Sequence, residues 1–252
     1  MITAQTVLET TFGYPSFRRP QEDIINTVVD GGDALVLMPT GGGKSLCYQI
    51  PALVRNGCGI VVSPLIALMQ DQVDGLRQLG VKASYLNSTL SAEEAYNTEQ
   101  ALLAGQLDLL YVAPERLKQQ RMLDLLKRAP IALFAIDEAH CVSQWGHDFR
   151  EEYLHLGEIR SDLKKSFPIL ALTATADKAT KTDIVDKLLL NNKPIIIEGG
   201  YDRPNIFLSF VPKQNAKTQI LNIVNKYKNT NGIIYCSSRK KTVELADFLS
   251  NN

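Results

Sequence analysis

Short runs of apolar residues alternate along this chain with longer segments in which apolar residues recur every three or four positions. Runs of the first kind indicate strands buried in a sheet, and segments of the second kind indicate helices. The predicted strands are 34–38, 59–63, 82–86, 108–112, 131–136, 169–172 and 195–198. The predicted helices are 44–56, 64–79, 91–105, 115–128 and 177–190, and Pro51 should kink the first of them. Strands that alternate with helices predict an α/β fold with a mostly parallel sheet of the nucleotide-binding kind.

This pattern breaks near residue 200, where Gly, Pro and Asn cluster as they do in linkers. A new series follows, with strands predicted at 206–210 and 233–236, a helix at 215–228 and a helix to the end. We therefore predict a first domain over 1–200, a linker at 201–205 and a second domain over 206–252. Because this series stops at Asn252 where a further strand would be expected, we interpret it as the N-terminal part of a truncated domain.

The first predicted strand runs into a glycine loop, Thr40-Gly41-Gly42-Gly43-Lys44-Ser45. Consecutive glycines let backbone N–H groups turn around an anion without Cβ clashes. Lys44 can then pair with the β- and γ-phosphates of a nucleotide, and the Ser45 hydroxyl can ligate Mg²⁺. Met38 stands where the usual pattern has its first glycine, so the cradle should run from Thr40 to Gly43. Taken alone, the loop could also be a flexible turn beside an exposed lysine.

The continuous apolar run 131–136 ends in Asp137-Glu138-Ala139-His140. Such a run indicates a parallel strand buried on both faces. Ligands bind at the carboxyl ends of strands in open α/β sheets, so this turn and the glycine loop should share one crevice. Asp137 suits Mg²⁺, and Glu138 suits a base that orients and deprotonates water for attack on the γ-phosphate. The glycine loop favours this interpretation over an ordinary solvated acidic turn, and together they predict binding and hydrolysis of a nucleoside triphosphate.

Composition gives only limited information about binding partners and cellular location. The net charge is zero and the pI is near 6.8, so no global positive field indicates a nucleic-acid partner, although backbone amides and a few local cations can hold a strand. The four cysteines form no C-x-x-C pair and the three histidines lack zinc spacing, which argues against a metal other than Mg²⁺. With no secretory signal and no long apolar run, we expect a cytoplasmic protein without membrane contact.

In their order along the chain, these motifs resemble those of RecQ-family DNA helicases of superfamily 2, with a DEAH box and in a bacterial-like form. The resemblance covers nearly all 252 residues. It implies a RecA-like P-loop NTPase domain followed by the start of a second RecA-like domain. It also implies ATP and Mg²⁺ as cofactors and single-stranded and partly duplex DNA as partners. The implied activity is 3′–5′ unwinding coupled to ATP hydrolysis in DNA repair and recombination; protein partners stay unknown.

The resemblance extends to the segment upstream of the glycine loop, 8–21 (LETTFGYPSFRRPQ). It implies that Tyr14, Arg18 and Gln21 contact adenine, with Gln21 pairing to both a donor and an acceptor on the edge of the base. The same segment suits a helix start that is packed by its two phenylalanines, and the two interpretations are compatible.

A polar loop at 143–150 (SQWGHDFR) holds the only tryptophan of the chain. By itself, such a residue would be interpreted as a packing anchor rather than as a platform for stacked bases. The loop, however, resembles the aromatic-rich loop through which the family senses single-stranded DNA. The resemblance implies that Trp145, His147, Phe149 and Arg150 couple DNA to the ATP site.

Three further segments resemble family motifs. Segments 63–73 and 111–117 each pass from a strand end to a helix start, which suits backbone phosphates, and they resemble strand-tracking motifs. Without the resemblance they would be interpreted as ordinary helix starts with proline. Segment 171–176 (ALTATA) resembles the motif that links hydrolysis to domain movement.

Residues 233–239 (IIYCSSR) resemble the first motif of the family's second domain, and the family's arginine finger has no counterpart before Asn252. Such a finger contributes about 10³–10⁵ in rate, so the chain alone should hydrolyse ATP poorly and should not unwind DNA. Two other functions stay open. One is a truncated nucleotide- and DNA-binding module without motor activity, and the other is an RNA-directed ATPase of the same superfamily.

Overall fold

The structure is a computed structural model that describes residues 2–145, 148–188, 194–200 and 206–251. The chain divides into two compact units, Met1–Tyr201 and Asp202–Asn252. The predicted linker, 201–205, lies outside the described residues. Among the described residues, no helix combines the length and the apolar character needed to cross a membrane.

The first unit is built on a parallel sheet with the strand order β3-β4-β2-β5-β6-β1-β7. Its strands are β1 (Ala34–Leu37), β2 (Cys58–Val62), β3 (Ala83–Leu86), β4 (Leu109–Val112), β5 (Ile131–Ile136), β6 (Ile169–Thr173) and β7 (Ile195–Glu198). The predicted parallel α/β fold is confirmed, and each predicted strand agrees with the structure to within one residue at either end. β1, β2, β4 and β6 are buried along their whole length, as expected for strands covered on both faces.

Helices cover both faces of this sheet. Successive residues of a strand point to opposite faces, so each buried strand contributes to two apolar clusters. Leu35 and Leu37 of β1 belong to one apolar cluster, whereas Ala34 and Val36 belong to another. The helices are α1 (Ala4–Thr10), α2 (Gln21–Val29), α3 (Leu46–Val54), α4 (Ile66–Gln78), α5 (Ala92–Leu103), α6 (Pro114–Leu117), α7 (Gln120–Arg128), α8 (Ile159–Leu163) and α9 (Lys178–Leu188).

Three of the predicted helices, α3, α4 and α5, lie within their predicted segments, and α3 continues through Pro51. The helix predicted at 115–128 is wrong in its continuity, since it is split into α6 and α7. Helix α9 occupies 178–188 of the segment predicted at 177–190, whose last residues lie outside the described part. Helix α2 begins at Gln21, and Phe12 and Phe17 pack against the cluster that contains its Ile25, as the segment 8–21 predicted.

A buried ion pair lies at the starts of the adjacent strands β1 and β6. Asp33, just before β1, is fully buried and makes two hydrogen bonds with the guanidinium of Arg160 on α8. The same carboxylate accepts the backbone N–H of Ile169 at the start of β6 (2.8 Å). Arg160 also donates to the Phe167 carbonyl (2.8 Å). This arrangement holds β1 and β6 in register from the edge opposite to the candidate site.

The second unit contains two helices among its described residues, α10 (Ala216–Lys226) and α11 (Arg239–Ser250). These agree with the helices predicted for this part of the chain. The strands predicted at 206–210 and 233–236 are wrong, because neither segment joins a ladder in the described part of the chain. An apolar segment becomes a strand only where another backbone satisfies its N–H and C=O groups. Here the side chains of Phe207 and Tyr235 are 91% and 90% exposed.

Candidate active site

The residues that follow β1, β5 and β6 meet at the carboxyl edge of the sheet, where β6 separates the other two strands. A cavity of about 480 Å³ opens there, within the range of small-ligand pockets, roughly 300–1,000 Å³. Its lining includes Tyr14, Arg18, Gln21, Thr40, Gly41, Gly43, Lys44, Ser45, Asp137 and Glu138. The structure therefore brings together the glycine loop, the acidic turn and the segment upstream of α2. Gly42 is the one residue of the predicted set for this crevice that does not line it.

Two residues of the glycine loop have left-handed backbone conformations. Gly41 and Gly43 have φ angles of +78° and +82°, a region that favours glycine. A Cβ at Gly42 would lie 2.9 Å from the Pro39 carbonyl oxygen. Lys44 Nζ donates to the Met38 carbonyl (2.8 Å), so the residue that replaces the usual glycine holds the lysine through its backbone. Lys44 keeps further N–H groups for an anion in the cavity.

Gln21 connects the upstream segment to the glycine loop. Its side chain is 2% exposed; Oε1 accepts the Arg18 N–H (2.9 Å) and Nε2 donates to the Gly43 carbonyl (3.2 Å). The predicted contact with adenine assigned both ends of this amide to the base, whereas each end has a backbone partner here. Tyr14 and Arg18 are exposed on the cavity wall. The adenine contacts of these three residues stay a prediction.

The acidic turn has an unusual backbone. Glu138 has φ 50° and ψ 44°, a left-handed conformation that residues with a Cβ rarely adopt. Asp137 Oδ1 accepts the N–H of Glu138 (3.0 Å), which helps to hold this conformation. Glu138 Oε2 lies 3.2 Å from Nδ1 of His140, and the same nitrogen lies 2.9 Å from Thr173 Oγ1 at the end of β6. The acidic turn and the segment 171–176 are thus in direct contact.

The electrostatics of the cavity centre on Asp137. Burial and the nearby charge of Glu138 raise the pKa of Asp137 from 3.8 to about 6, while Lys44 and His140 act in the opposite direction. A bound divalent cation would favour the charged carboxylate. The protein therefore holds at this position a carboxyl group whose charged form is unfavourable unless a cation is near.

We expect Asp137→Asn to raise the free energy of unfolding at neutral pH without Mg²⁺. Because the pKa of Asp137 is higher in the folded state, folding favours the proton, and stability falls as pH rises from about 4 to 6. Asparagine stays neutral and avoids this loss, which is on the order of 3 kcal/mol for a shift of about two pKa units. Urea unfolding at pH 7.5 and at pH 4 measures the free energy of unfolding of both proteins. The difference in this free energy between variant and wild type should largely disappear at pH 4.

The control is Asp177→Asn, because hydrogen bonds from Thr180 lower the pKa of Asp177. That carboxylate contributes stability above its unfolded pKa, so its neutral variant should be less stable than wild type at pH 7.5. An Asp137→Asn protein less stable than wild type at pH 7.5 would contradict the electrostatic account of the cavity.

The loop 143–150 leaves the acidic turn and is closed by a bond from the Arg150 N–H to the Cys141 carbonyl (2.9 Å). Trp145 is 76% exposed, and Phe149 is also exposed, so neither ring is a packing anchor within the described residues. Buried Ser143 holds the loop, since its Oγ accepts the Trp145 N–H (3.2 Å) and donates to Asp183 of α9 (2.8 Å). The predicted site residue His147 lies outside the described residues.

Two residues that hold the acidic turn and this loop in place escaped sequence reasoning. Tyr153, in the 3₁₀ segment after the loop, donates its hydroxyl to the Asp137 carbonyl (2.9 Å). Asp183 holds Ser143 and is itself paired with Lys187 (2.9 Å). Neither residue lies in a recognisable motif, because each acts on a residue that is distant in sequence.

Metal-ligating side chains also approach one another beside the cavity. In the described part of the chain, ligand atoms of His140, Cys141 and Asp148 lie within 4.8 Å of one another. Burial, reinforced by the charge of Asp148, raises the pKa of the Cys141 thiol to about 12. A thiolate ligand is therefore unfavourable near neutral pH, and the Nδ1 of His140 already faces Thr173 and Glu138.

The parallel sheet, the glycine loop and the paired carboxylates define a helicase-type RecA-like domain. Residues 18–183 match the family model of the DEAD/DEAH box helicases, which is more than half of the chain. The chain belongs to the DEAD/DEAH box helicase family.

Its relatives include ATP-dependent DNA helicases named RecQ. The chain is 48% identical to RecQ of Haemophilus influenzae, over 99% of this chain and 40% of that protein, and 40% identical to RecQ of Bacillus subtilis, over 99% and 42%. It thus spans about two-fifths of the length of these curated relatives. The solved structure of the DUF1998 helicase MrfA bound to DNA and AMPPNP aligns with a TM-score of 0.75 at 15% identity, over 98% of this chain and 37% of that one, which shows the shared fold.

Proposed function

We propose that this chain is the nucleotide-binding and DNA-sensing part of a RecQ-type ATP-dependent DNA helicase that unwinds 3′–5′ in DNA repair and recombination. One observation carries the proposal: a single cavity joins the glycine loop, the acidic turn and the upstream segment, and a loop with an exposed tryptophan leads directly from that turn. The names of the RecQ relatives support the choice of DNA as the partner, in single-stranded and partly duplex form.

In this proposal the glycine loop binds the phosphates of ATP. The backbone from Thr40 to Gly43 forms the cradle, and Lys44 pairs with the β- and γ-phosphates. Ser45 and Asp137 both line the cavity, and hydroxyl and carboxylate oxygens are ligands that Mg²⁺ prefers. These two residues would hold Mg²⁺, which when bound neutralises phosphate charge.

Glu138 is the proposed base for the attacking water. Its left-handed backbone presents the carboxylate on the cavity wall, and His140 lies 3.2 Å from it. A base in this position orients the water and takes its proton as the bond to the γ-phosphate forms. Tyr14, Arg18 and Gln21 bind the adenine side of the nucleotide.

The DNA strand is proposed to contact Trp145, His147, Phe149 and Arg150, with the segments 63–73 and 111–117 holding its phosphates. An exposed indole can stack on any base, which suits binding without sequence preference.

We also propose that residues 1–200 form the first RecA-like domain, that 201–205 link it to the next and that 206–252 begin a second RecA-like domain. All four cysteines are free thiols, which supports a cytoplasmic setting.

The experiment that tests the function is phosphate release from ATP by the full-length protein, with single-stranded DNA, with single-stranded RNA and with neither. Stimulation by DNA above that by RNA supports the proposal. Stronger stimulation by RNA would favour an RNA-directed ATPase. Binding of nucleotide and DNA without any turnover would favour a binding module without motor activity.

We expect Trp145→Ala to keep the basal ATPase rate and to lose most of the DNA stimulation. Each stacked base contributes about 1–3 kcal/mol, so DNA affinity should fall by roughly one to two orders of magnitude. The matched control is Tyr96→Ala, which removes an exposed ring from α5. Trp145 is the only tryptophan of these 252 residues, so a change in the tryptophan fluorescence of this chain on titration with DNA would report on this loop. Retained stimulation together with unchanged fluorescence would remove the loop from the DNA interface.

A further inference from the structure

A network of buried polar side chains extends from the helix after the glycine loop into the interior of the domain. Tyr48 and Gln49 lie on α3, Tyr111 lies near the end of β4, and all three are buried. The two tyrosine hydroxyls are 3.2 Å apart. Gln49 Nε2 donates to the Tyr111 hydroxyl (3.3 Å) and to Oε1 of Gln72 on α4 (3.1 Å). The hydroxyl of Tyr111 is therefore shared between two residues of α3.

One end of this network lies at the candidate active site. Tyr48 follows Ser45, a proposed Mg²⁺ ligand, by one helical turn. Burial raises the pKa of Tyr48, and a hydrogen bond with Ser45 acts in the opposite direction. The charge of Asp137 raises the pKa of Tyr48 and, after the larger effect of burial, that of Tyr111. This end of the network thus lies one helical turn from Ser45, which lines the cavity.

The other end of the network is formed by residues of the two segments proposed to hold DNA phosphates. Tyr111 opens segment 111–117, and Gln72 lies in α4, which continues segment 63–73. Gln49 is bonded to both of them. Within the described residues, these side-chain hydrogen bonds join α3 to α4 and β4, the elements that carry the two segments.

We infer that Tyr111, Gln49 and Gln72 are positioning residues that couple nucleotide occupancy at α3 to the grip of α4 and β4 on DNA. The inference rests on the proposed function. Buried donors and acceptors are costly to leave unpaired, so α3 cannot shift on nucleotide binding without moving its bonded partners or breaking these bonds. Because coupling is reciprocal, the same contacts make DNA affinity depend on nucleotide. Gln49 and Tyr111 are buried, so they can act on DNA only through this linkage.

The test measures the affinity of the full-length protein for fluorescein-labelled oligothymidylate, with and without the β,γ-imido analogue of ATP and Mg²⁺. The quantity of interest is the ratio of the two dissociation constants. Tyr111→Phe removes the shared hydroxyl at constant shape and should bring this ratio closer to one by about 2- to 10-fold, the equivalent of one hydrogen bond.

The matched control is Tyr85→Phe, because Tyr85 of β3 pairs in register with Tyr111 but lies outside the network. Gln72→Leu is a second variant, at a half-buried position of α4, that breaks the network at its other end and should also bring the ratio closer to one. A thermal melt of each variant confirms that it is folded.

Two results would overturn the inference. One is a wild-type ratio of one, which means that there is no coupling to transmit. The other is a ratio that both Tyr111→Phe and Gln72→Leu leave equal to that of Tyr85→Phe. If the wild-type protein failed to bind nucleotide or DNA at all, the proposed function would fall as well, and the two failures are thereby distinguished.

Discussion

Glu138→Gln is expected to lower kcat for ATP hydrolysis by about 10²–10⁴-fold, the contribution of a positioned general base. Glutamine keeps the length of the side chain and a hydrogen-bond acceptor near His140, but it cannot take the proton of the attacking water. Nucleotide affinity should stay close to wild type, because the glycine loop and Lys44 are proposed to hold the phosphates. The loss should therefore appear in kcat rather than in nucleotide binding.

Single-turnover phosphate release and binding of a fluorescent nucleotide by the full-length protein measure the two quantities separately. Glu151→Gln is the control, since Glu151 is exposed in the 3₁₀ segment after the loop 143–150. Undiminished turnover in Glu138→Gln would remove this residue from its proposed role. A loss of nucleotide binding would instead assign Glu138 to the metal or phosphate site.

Asp33→Ala is expected to lower the free energy of unfolding by about 3–5 kcal/mol, which is typical when one partner of a buried ion pair is removed. The substitution leaves the Arg160 guanidinium without its carboxylate and the N–H of Ile169 without its acceptor. Because these bonds hold the starts of β1 and β6, we expect the loss to involve the whole sheet rather than one loop.

A double-mutant cycle with Arg160→Ala, followed by urea unfolding, measures the pair itself. The double variant should be less destabilised than the two single losses added together, since no unpaired charge remains. Asp124→Ala is the control, because its pair with Lys127 on α7 is exposed to solvent. If Asp33→Ala were no more harmful than Asp124→Ala, the buried pair would not hold the sheet as proposed.

The fold of the first unit could be predicted closely because its signals are local. A strand buried on both faces needs a continuous apolar run, and such runs predicted every strand of the sheet. Parallel strands carry their loops to the same edge, so the glycine loop after β1 and the acidic turn after β5 were expected in one crevice. The cavity that both line agrees with this geometry.

The errors occurred where a local pattern needs a distant partner. The apolar segments 206–210 and 233–236 resemble strands, but among the described residues no neighbouring backbone pairs with them. Helix 115–128 is interrupted at Lys118–Gln119, where no glycine or proline signals a break. In both cases the composition of the segment was compatible with the predicted element.

By itself, the sequence determined the order of strands and helices in the first unit, the glycine loop and the acidic turn, because each depends on neighbouring residues. Only the tertiary structure showed the left-handed backbone of Glu138, the backbone partners that occupy Gln21, and the contact of Tyr153 with Asp137. The same holds for the bonds between Tyr48, Gln49 and Tyr111, which join residues more than sixty positions apart. Such contacts depend on how α3 packs against the sheet, and no periodicity or motif within a single segment encodes that packing.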